Sequence, residues 1–154
     1  MANVLEATTD EQYQEGRLLI EEYARFLGVD LEFQGFSKEL ADLAGMYGPP
    51  KGAMLLLSND GAFVGCVGLR ALPDNYAEMK RMYIQPAHQG KGLGRLLLAA
   101  FIARARALGY KAIRLDTVPA LDRALALYRK FGFYEITPYR HNPAADAIFM
   151  ELTL

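Results

Sequence analysis

Gln85-Pro86-Ala87-His88-Gln89-Gly90-Lys91-Gly92-Leu93-Gly94-Arg95 is the stretch on which the reading of this chain turns. A strand-like run, Glu78 to Ile84, leads into it, and a helix-like run, Leu96 to Ala107, leads out. Gly90, Gly92 and Gly94 therefore sit where strand becomes helix. Glycine lets successive peptide N–H groups turn toward one point, where a Cβ would often obstruct them. Such a nest at a helix N-terminus binds anions, and the helix dipole adds to the attraction. Lys91 and Arg95 bring positive charge. The stretch reads as a phosphate or pyrophosphate cradle, with a ligand-free glycine turn as the competing explanation.

Spacing decides which cradle. A P-loop needs G-x-x-x-x-G-K-[ST], and no glycine here is followed by Lys and then Ser or Thr. The dinucleotide fingerprint G-x-G-x-x-G fails in both registers, because its third glycine would be Arg95 or Leu97. Asp116 at the end of the next strand keeps a nucleotide-binding α/β reading open. The pattern that fits is Q-x-x-G-x-G, formed by Gln89, Gly92 and Gly94.

The chain has 154 residues, which suits one domain spanning 1–154. Its net charge of -1 provides no global field for nucleic acid or an anionic membrane. The single cysteine, Cys66, allows no intrachain disulfide and suits a reducing compartment. It lies in the apolar run Phe63 to Val67 and reads as a small core residue. His88 and His141 form no metal-ligand spacing with it, so no metal site is expected. Met1 to Asp10 lacks a basic segment followed by an apolar core, and the longest apolar run, Leu96 to Ala103, is far short of the ~20 residues of a membrane helix. A soluble, cytoplasmic protein is expected.

Asn3 to Ala7 reads as a first strand. Thr9 or Asp10 offers an N-cap to a helix carrying Leu18, Leu19, Tyr23 and Phe26, which Gly28 stops. Val29 to Gly35 reads as a loop, and Ser37 as the cap of a second helix that Gly48-Pro49-Pro50 ends. Ala53 to Leu57, Ala62 to Leu72 and Tyr76 to Ile84 read as three consecutive strands, joined by the turn signals Asn59-Asp60-Gly61 and Pro73-Asp74-Asn75. After the glycine loop, Leu93, Leu96, Leu97, Ala100 and Phe101 keep helical spacing, widened by Leu98 and Ile102. Gly109 ends that helix, and Ala112 to Leu115 is a short strand running parallel to the one before it. Pro119 suits the first turn of another helix, with Leu121, Ala124, Leu125 and Tyr128 on its face and Gly132 at its end. Phe133 to Ile136 and Ala147 to Leu152 are the last strands. The order β-α-α-β-β-β-α-β-α-β-β predicts an α/β (α+β) fold: a mixed, mostly antiparallel central sheet of about six or seven strands with helices on both faces.

This order, with Q-x-x-G-x-G after the fourth strand, resembles the GNAT superfamily of acyl-CoA-dependent N-acetyltransferases over nearly the whole chain. Ala124-Leu125-Ala126-Leu127-Tyr128-Arg129-Lys130-Phe131-Gly132-Phe133 resembles the family's A-x-x-L-Y-x-x-x-G-F signature, and Glu78 to Ile84 its fourth strand. One departure is Leu121, where many members carry the asparagine that contacts the pantetheine arm.

The resemblance implies transfer of an acetyl group from acetyl-CoA to a primary amine within a ternary complex. It implies main-chain contacts from Met82, Tyr83 and Ile84 to pantetheine, and a pyrophosphate cradle built from Gln89, Gly90, Lys91, Gly92, Leu93, Gly94 and Arg95. Arg129 or Lys130 is the implied partner of the adenosine 3′-phosphate. Tyr128 is implied as the acid that protonates the departing thiolate.

Strand alternation puts Glu78, Lys80, Met82 and Ile84 on one face and Met79, Arg81 and Tyr83 on the other. Three charges in a central strand need water, partners or a ligand. A cleft on the Glu78 face makes that residue the candidate general base, directly or through a water; pairing with Arg70, Lys80 or Arg81 is the competing explanation. The implied acceptor is a small-molecule or peptide amine near Tyr23, Phe26, Phe33, Phe36, Tyr76, Tyr134, Tyr139 and His141, with Asp30 and Glu32 nearby. A homodimer is left open; neither nucleic acid nor membrane is implied. The rival from another class is a non-catalytic acyl-CoA-binding sensor or partner-binding module on the same fold.

Overall fold

A computed structural model describes residues 1–154, apart from the side chain of Phe33. The strands are β1 (Ala2–Glu6), β2 (Ala53–Asn59), β3 (Ala62–Leu72), β4 (Tyr76–Ile84), β5 (Ala112–Thr117), β6 (Tyr134–Ile136) and β7 (Ile148–Thr153). The helices are α1 (Asp10–Leu27), α2 (Phe36–Ala41), α3 (Leu43–Met46), α4 (Leu93–Ala107) and α5 (Asp122–Lys130). All the strands join one seven-stranded sheet in the order β1-β2-β3-β4-β5-β7-β6. Only the β4–β5 pair is parallel.

The local signals that place the long elements are of ordinary kinds. Thr9 caps α1 in a reciprocal box with Gln12, and Gly28 closes that helix in the left-handed region at φ 68°. Asp60 and Gly61, at φ 52° and 84°, turn β2 into β3. Two signals were misplaced. Gly35 stands at the N-cap of α2, and Ser37 lies inside the first turn, bonded to Glu32. Helix α5 begins at Asp122, so Pro119 lies ahead of it.

Each face of the sheet carries its own core. On one side α4 buries Leu97, Leu98, Phe101 and Ile102 against Leu55, Val67, Leu69 and Met79, while Leu96, expected on the same stripe, is exposed. On the other side Leu19 and Ile20 of α1, with Leu43 and Tyr47, cover Met54, Leu56, Cys66 and Tyr83. Burying each large apolar side chain contributes roughly 1.5–3 kcal/mol. Among the described residues no helix is long and apolar enough to cross a membrane.

Strand β4 departs from simple alternation. Its partners on β3 run Cys66↔Tyr83 and then Gly68↔Lys80, so β4 spends one residue more than β3 between these pairs. This is a β-bulge, and Arg81 within it has a left-handed φ of 60°. The extra residue reverses the parity that alternation would give. Lys80 reaches Gln34 and Arg81 reaches Glu39, both in the layer with α1 and α2, while Met79, Met82 and Ile84 pack with the α4 core. The expected grouping of Glu78 and Lys80 with Met82 and Ile84 therefore fails at the bulge.

A buried fork holds the bulge. Arg81 Nε donates to Glu39 Oε2 at 2.9 Å and Nη2 to Oε1 at 2.7 Å, with 4% and 1% of the two side chains exposed. Tyr47 donates to the same carboxylate at 2.9 Å. Burial opposes the charged form of Glu39, but the hydrogen bond and charge of Arg81 outweigh it and hold the carboxyl below its ordinary 4.5. Glu39→Gln should cost about 3–5 kcal/mol, because it leaves the guanidinium buried without its counter-charge. A depressed carboxyl stabilises the fold above its ordinary value and loses that contribution as pH falls through the folded one. Urea denaturation should therefore show the full gap between wild type and E39Q above pH 4.5 and a narrowing gap on acidification; a gap below 1 kcal/mol at neutral pH would contradict the role given to the fork.

Candidate active site

The site begins where the sheet opens. β4 and β5 pair only through Tyr76↔Ala112, Ala77↔Ile113 and Glu78↔Arg114. Beyond Glu78, β5 continues against β7 while β4 follows β3 through the bulge. A bulge bends and twists its strand, so the neighbours diverge and expose one backbone edge of β4. Two cavities, of about 530 and 600 Å³, open from this split. They share Tyr23, Phe26, Met79, Arg81, Asp116, Thr117, Ala120 and Leu121.

The smaller cavity runs along Met82, Tyr83 and Ile84 to the glycine loop and along α5 to Tyr128. Gly90 and Gly92 have φ of 76° and 77°, a region that side chains with a Cβ occupy at a cost. A Cβ added at Gly92 would meet no atom within 4 Å. Gly92 is also the N-cap of α4 and supplies no side chain to the first-turn N–H groups. These groups, the open space before them and the dipole of α4 make an anion cradle. Gln89 Nε2 donates to Ile84 O at 2.9 Å and ties the loop to the strand end.

The expected cradle residues divide. Gln89, Gly90, Gly92, Gly94 and Arg95 line the cavity, as do Met82, Tyr83 and Ile84; Lys91 is exposed outside the lining, and Leu93 is buried in the α4 core. The cation facing the cradle from α5 is Arg123, which also approaches the position of a Gly90 Cβ at 3.8 Å. Arg129 instead faces Glu135 at 3.6 Å, and neither it nor Lys130 lines the cavity. Arg123 was missed because the basic pair at the end of the helix looked more distinctive than one arginine in its first turn.

Tyr128 lines the same cavity and rests on Phe133 with ring centroids 5.7 Å apart. Burial, with Tyr23 adding to it, pushes its phenol well above the ordinary range. It therefore keeps its proton until a strong base develops beside it. Glu78 is placed differently. It is fully buried and lines neither cavity; Oε1 accepts from Arg70 Nε at 2.7 Å, Oε2 accepts from Tyr139 at 2.7 Å, and Arg140 Nη2 lies 3.4 Å from Oε2. The pairing with Arg70 anticipated as the alternative is present. Direct abstraction of a proton by Glu78 is not supported, because these partners close its face to the cavity.

The larger cavity holds Tyr23, Phe26 and Asp30 from the expected acceptor group, together with Leu27, Val29, Leu31, Gln34, Lys80 and Asn142. Other members of that group lie elsewhere. Phe36 sits under the Arg81 guanidinium, Tyr76 stacks on Arg114, Tyr134 bonds Glu151 and Thr153, and His141 is not in the lining. Glu32 is bonded to Ser37, and the Phe33 side chain falls outside the described residues. Asp116 spans both cavities and accepts from Arg140 at 2.6 Å and Asn142 at 2.9 Å. Arg140 thus bridges Asp116 and Glu78, a network that sequence spacing did not reveal. Among the described residues no group of three or more His, Cys, Asp and Glu side chains could hold a metal ion.

A model of the acetyltransferase (GNAT) family matches residues 16–133, which include the split strand, the cradle and Tyr128. The chain belongs to the GNAT acetyltransferase family. An uncharacterized N-acetyltransferase of Schizosaccharomyces pombe is 39% identical over 140 residues, covering 90% of this chain and 86% of the relative. An IAA acetyltransferase of Azospirillum brasilense is 37% identical, covering 88% of each chain. A GNAT-family acetyltransferase structure from Staphylococcus aureus, 22% identical, superposes with a TM-score of 0.81 over 99% of both chains and shares the fold. The mixed sheet with helices on both faces is thus the GNAT fold, and the N-acetyltransferase class agrees with the family.

Proposed function

We propose that this protein transfers an acetyl group from acetyl-CoA to a primary amine by direct attack in a ternary complex, in a cytoplasmic setting to which its lone buried cysteine is suited. The observation that carries the proposal is one cleft with an anion cradle at one end and a protonated, desolvated Tyr128 along its wall. The residues fit a CoA thioester. Gly92 leaves open the space that a pyrophosphate needs, Arg95 and Arg123 supply charge, and the free edge of β4 offers pantetheine main-chain partners. Ile84 O already accepts from Gln89, so Met82 is better placed than Ile84. Leu121 lines the cleft where an asparagine would add a polar contact, so the arm is held more by main chain here.

Acetyl-CoA supplies an activated carbonyl. The backbone N–H near Met82, at the split, polarises its oxygen. The acceptor nitrogen must lose a proton before its lone pair attacks the carbonyl carbon, and cavity water is the immediate taker, with the Glu78–Arg140–Asp116 network ordering the wall behind it. As the carbon–sulfur bond breaks, the Tyr128 hydroxyl gives its proton to the sulfur and recovers one from solvent. A second reading, an acyl-CoA-binding module without turnover, is favoured by the closed face of Glu78. Thermal shifts with CoA, acetyl-CoA, NAD and ATP, followed by an amine library, test both.

Gly92→Val should abolish the acetyl-CoA shift, since it adds bulk to the cradle and strains a left-handed residue. Arg123→Gln, which strains nothing, should weaken CoA about tenfold, as expected for loss of a charge-assisted phosphate contact. Folded variants with wild-type affinity in both cases would refute the cradle.

Tyr128→Phe removes one oxygen and keeps the packing on Phe133. Acetyl-CoA affinity should stay within a few-fold of wild type, while kcat falls by roughly 10²–10⁴, because a proton donor matters only when the thiolate leaves. Near-wild-type kcat at saturating acetyl-CoA would remove Tyr128 as the acid and leave water to protonate the sulfur.

A further inference from the structure

The larger cavity carries an unusual charge pattern. Four cations, Arg70, Lys80, Arg81 and Arg140, stand with three carboxylates, Glu39, Glu78 and Asp116, in and behind its polar wall. Every carboxylate in this set is committed to an arginine: Glu39 to Arg81, Glu78 to Arg70 and Arg140, Asp116 to Arg140. Lys80 is the cation left over. It is 5% exposed, lines the cavity, and its Nζ donates to a neutral partner, Gln34 Oε1, at 2.6 Å. Its hydrogen-bond partner is an amide, and the carboxylates that face it, Glu39, Glu78 and Asp116, are already paired with arginines, so the position favours an anion from outside. The carboxylate at the rim, Asp30, is exposed and accepts from its own loop at Glu32 N, so it does not neutralise Lys80.

Resting on the acetyltransferase reading above, we propose that the acceptor is a free α-amino acid with an apolar side chain, its carboxylate bound by Lys80 and Gln34 and its amine placed at Asp116. Asp116 lines both cavities and so stands where donor and acceptor meet, whereas Lys80 and Gln34 line only the larger one. An α-amino acid carries ammonium and carboxylate on one carbon, which suits a cavity lined by both Lys80 and the Asp116 carboxylate, whose Arg140 partner comes from behind. Phe26, Leu27, Val29 and Leu31 supply an apolar wall for the side chain. A lysine side chain in a protein, a simple amine or a peptide N-terminus has no carboxylate on the carbon that bears its amine and brings Lys80 no anion.

The same geometry makes acceptor binding depend on pH. The charged groups facing Lys80 are Glu78 and Arg81 on its own strand, Glu39 on α2, Asp116 on β5 and Arg140 in the connection between β6 and β7. Burial first and Arg81 second lower its ammonium from 10.5 to about 7. A bound carboxylate raises it again. Binding above pH 7 therefore takes up a proton at Lys80, and affinity falls as pH rises through that value.

Calorimetric titration of the wild-type CoA complex with L-phenylalanine, L-phenylalaninamide, phenethylamine and a phenylalanyl dipeptide tests this without turnover. At pH 6, where Lys80 is charged, phenylalanine should bind at least about 100-fold tighter than the other three, since a site with a buried charge rejects analogues that leave it unpaired. At pH 8, buffers of differing ionisation enthalpy should report proton uptake for phenylalanine alone. Lys80→Gln should reduce the preference for phenylalanine over phenethylamine about 100-fold and keep the acetyl-CoA thermal shift. A wild type that binds acetyl-CoA but favours an acceptor without the free carboxylate, or takes up no proton with phenylalanine, overturns this inference and leaves the donor reading standing. A wild type that shows no acetyl-CoA shift overturns both.

Discussion

The paired hydrogen bonds between Arg81 and Glu39 are the constraint on which the working part of this molecule depends. Arg81 occupies a left-handed conformation that costs an L-residue about 1–2 kcal/mol. The bulge persists because the guanidinium reaches a carboxylate on α2, with Tyr47 on the same carboxylate and the ring of Phe36 beside the cation. A buried ion pair is close to break-even against well-packed apolar residues of the same volume. Its value here is geometric. It sets the extra residue of β4 at one position, so the strand leaves β5 after Glu78 and the cleft opens.

From that opening the site divides its labour between backbone and side chains. The smaller cavity is lined largely by main chain: N–H groups at the start of α4, the free edge of β4, and glycines that leave room. Such contacts survive changes in neighbouring side chains. The opposite side is built from Lys80, Gln34, Asp116, Asn142 and an apolar rim, so its chemistry depends on residue identity. Tyr23 lines both cavities and Tyr128 the smaller one, and burial raises both phenols, Tyr23 to about 12. A desolvated cleft strengthens each electrostatic contact inside it.

How much of this was legible in the sequence depended on range. The glycine loop, the hairpin at Asp60-Gly61, the capping box at Thr9 and the A-x-x-L-Y pattern are encoded within a few residues, and their elements formed nearly where expected. The bulge was not legible, because its cause lies 42 residues earlier at Glu39. Alternation is a sound rule for an unbroken strand, and it failed from Lys80 onward for that reason. The charges in β4 correctly announced buried partners or a cleft. Sequence alone could not assign Glu78 to the first and Lys80 to the second, since the partners, Tyr139 and Arg140, arrive from a connection without regular structure. Arg123 in place of Arg129 had a different cause: both lie on α5, and only the helix's rotation against the loop decides which faces inward.

That connection, residues 137–147, carries Tyr139, Arg140 and Asn142 to the centre of the molecule while belonging to neither β6 nor β7. Insertions and substitutions there disturb no strand ladder and no helix face. The connection supplies Asn142, Pro143 and Ala144 to the larger cavity, whereas α1 and the segment after it supply Tyr23, Phe26, Leu27, Val29, Asp30, Leu31 and Gln34. A change of length in that connection would reshape one side of the larger cavity while leaving every strand pairing of the sheet in place.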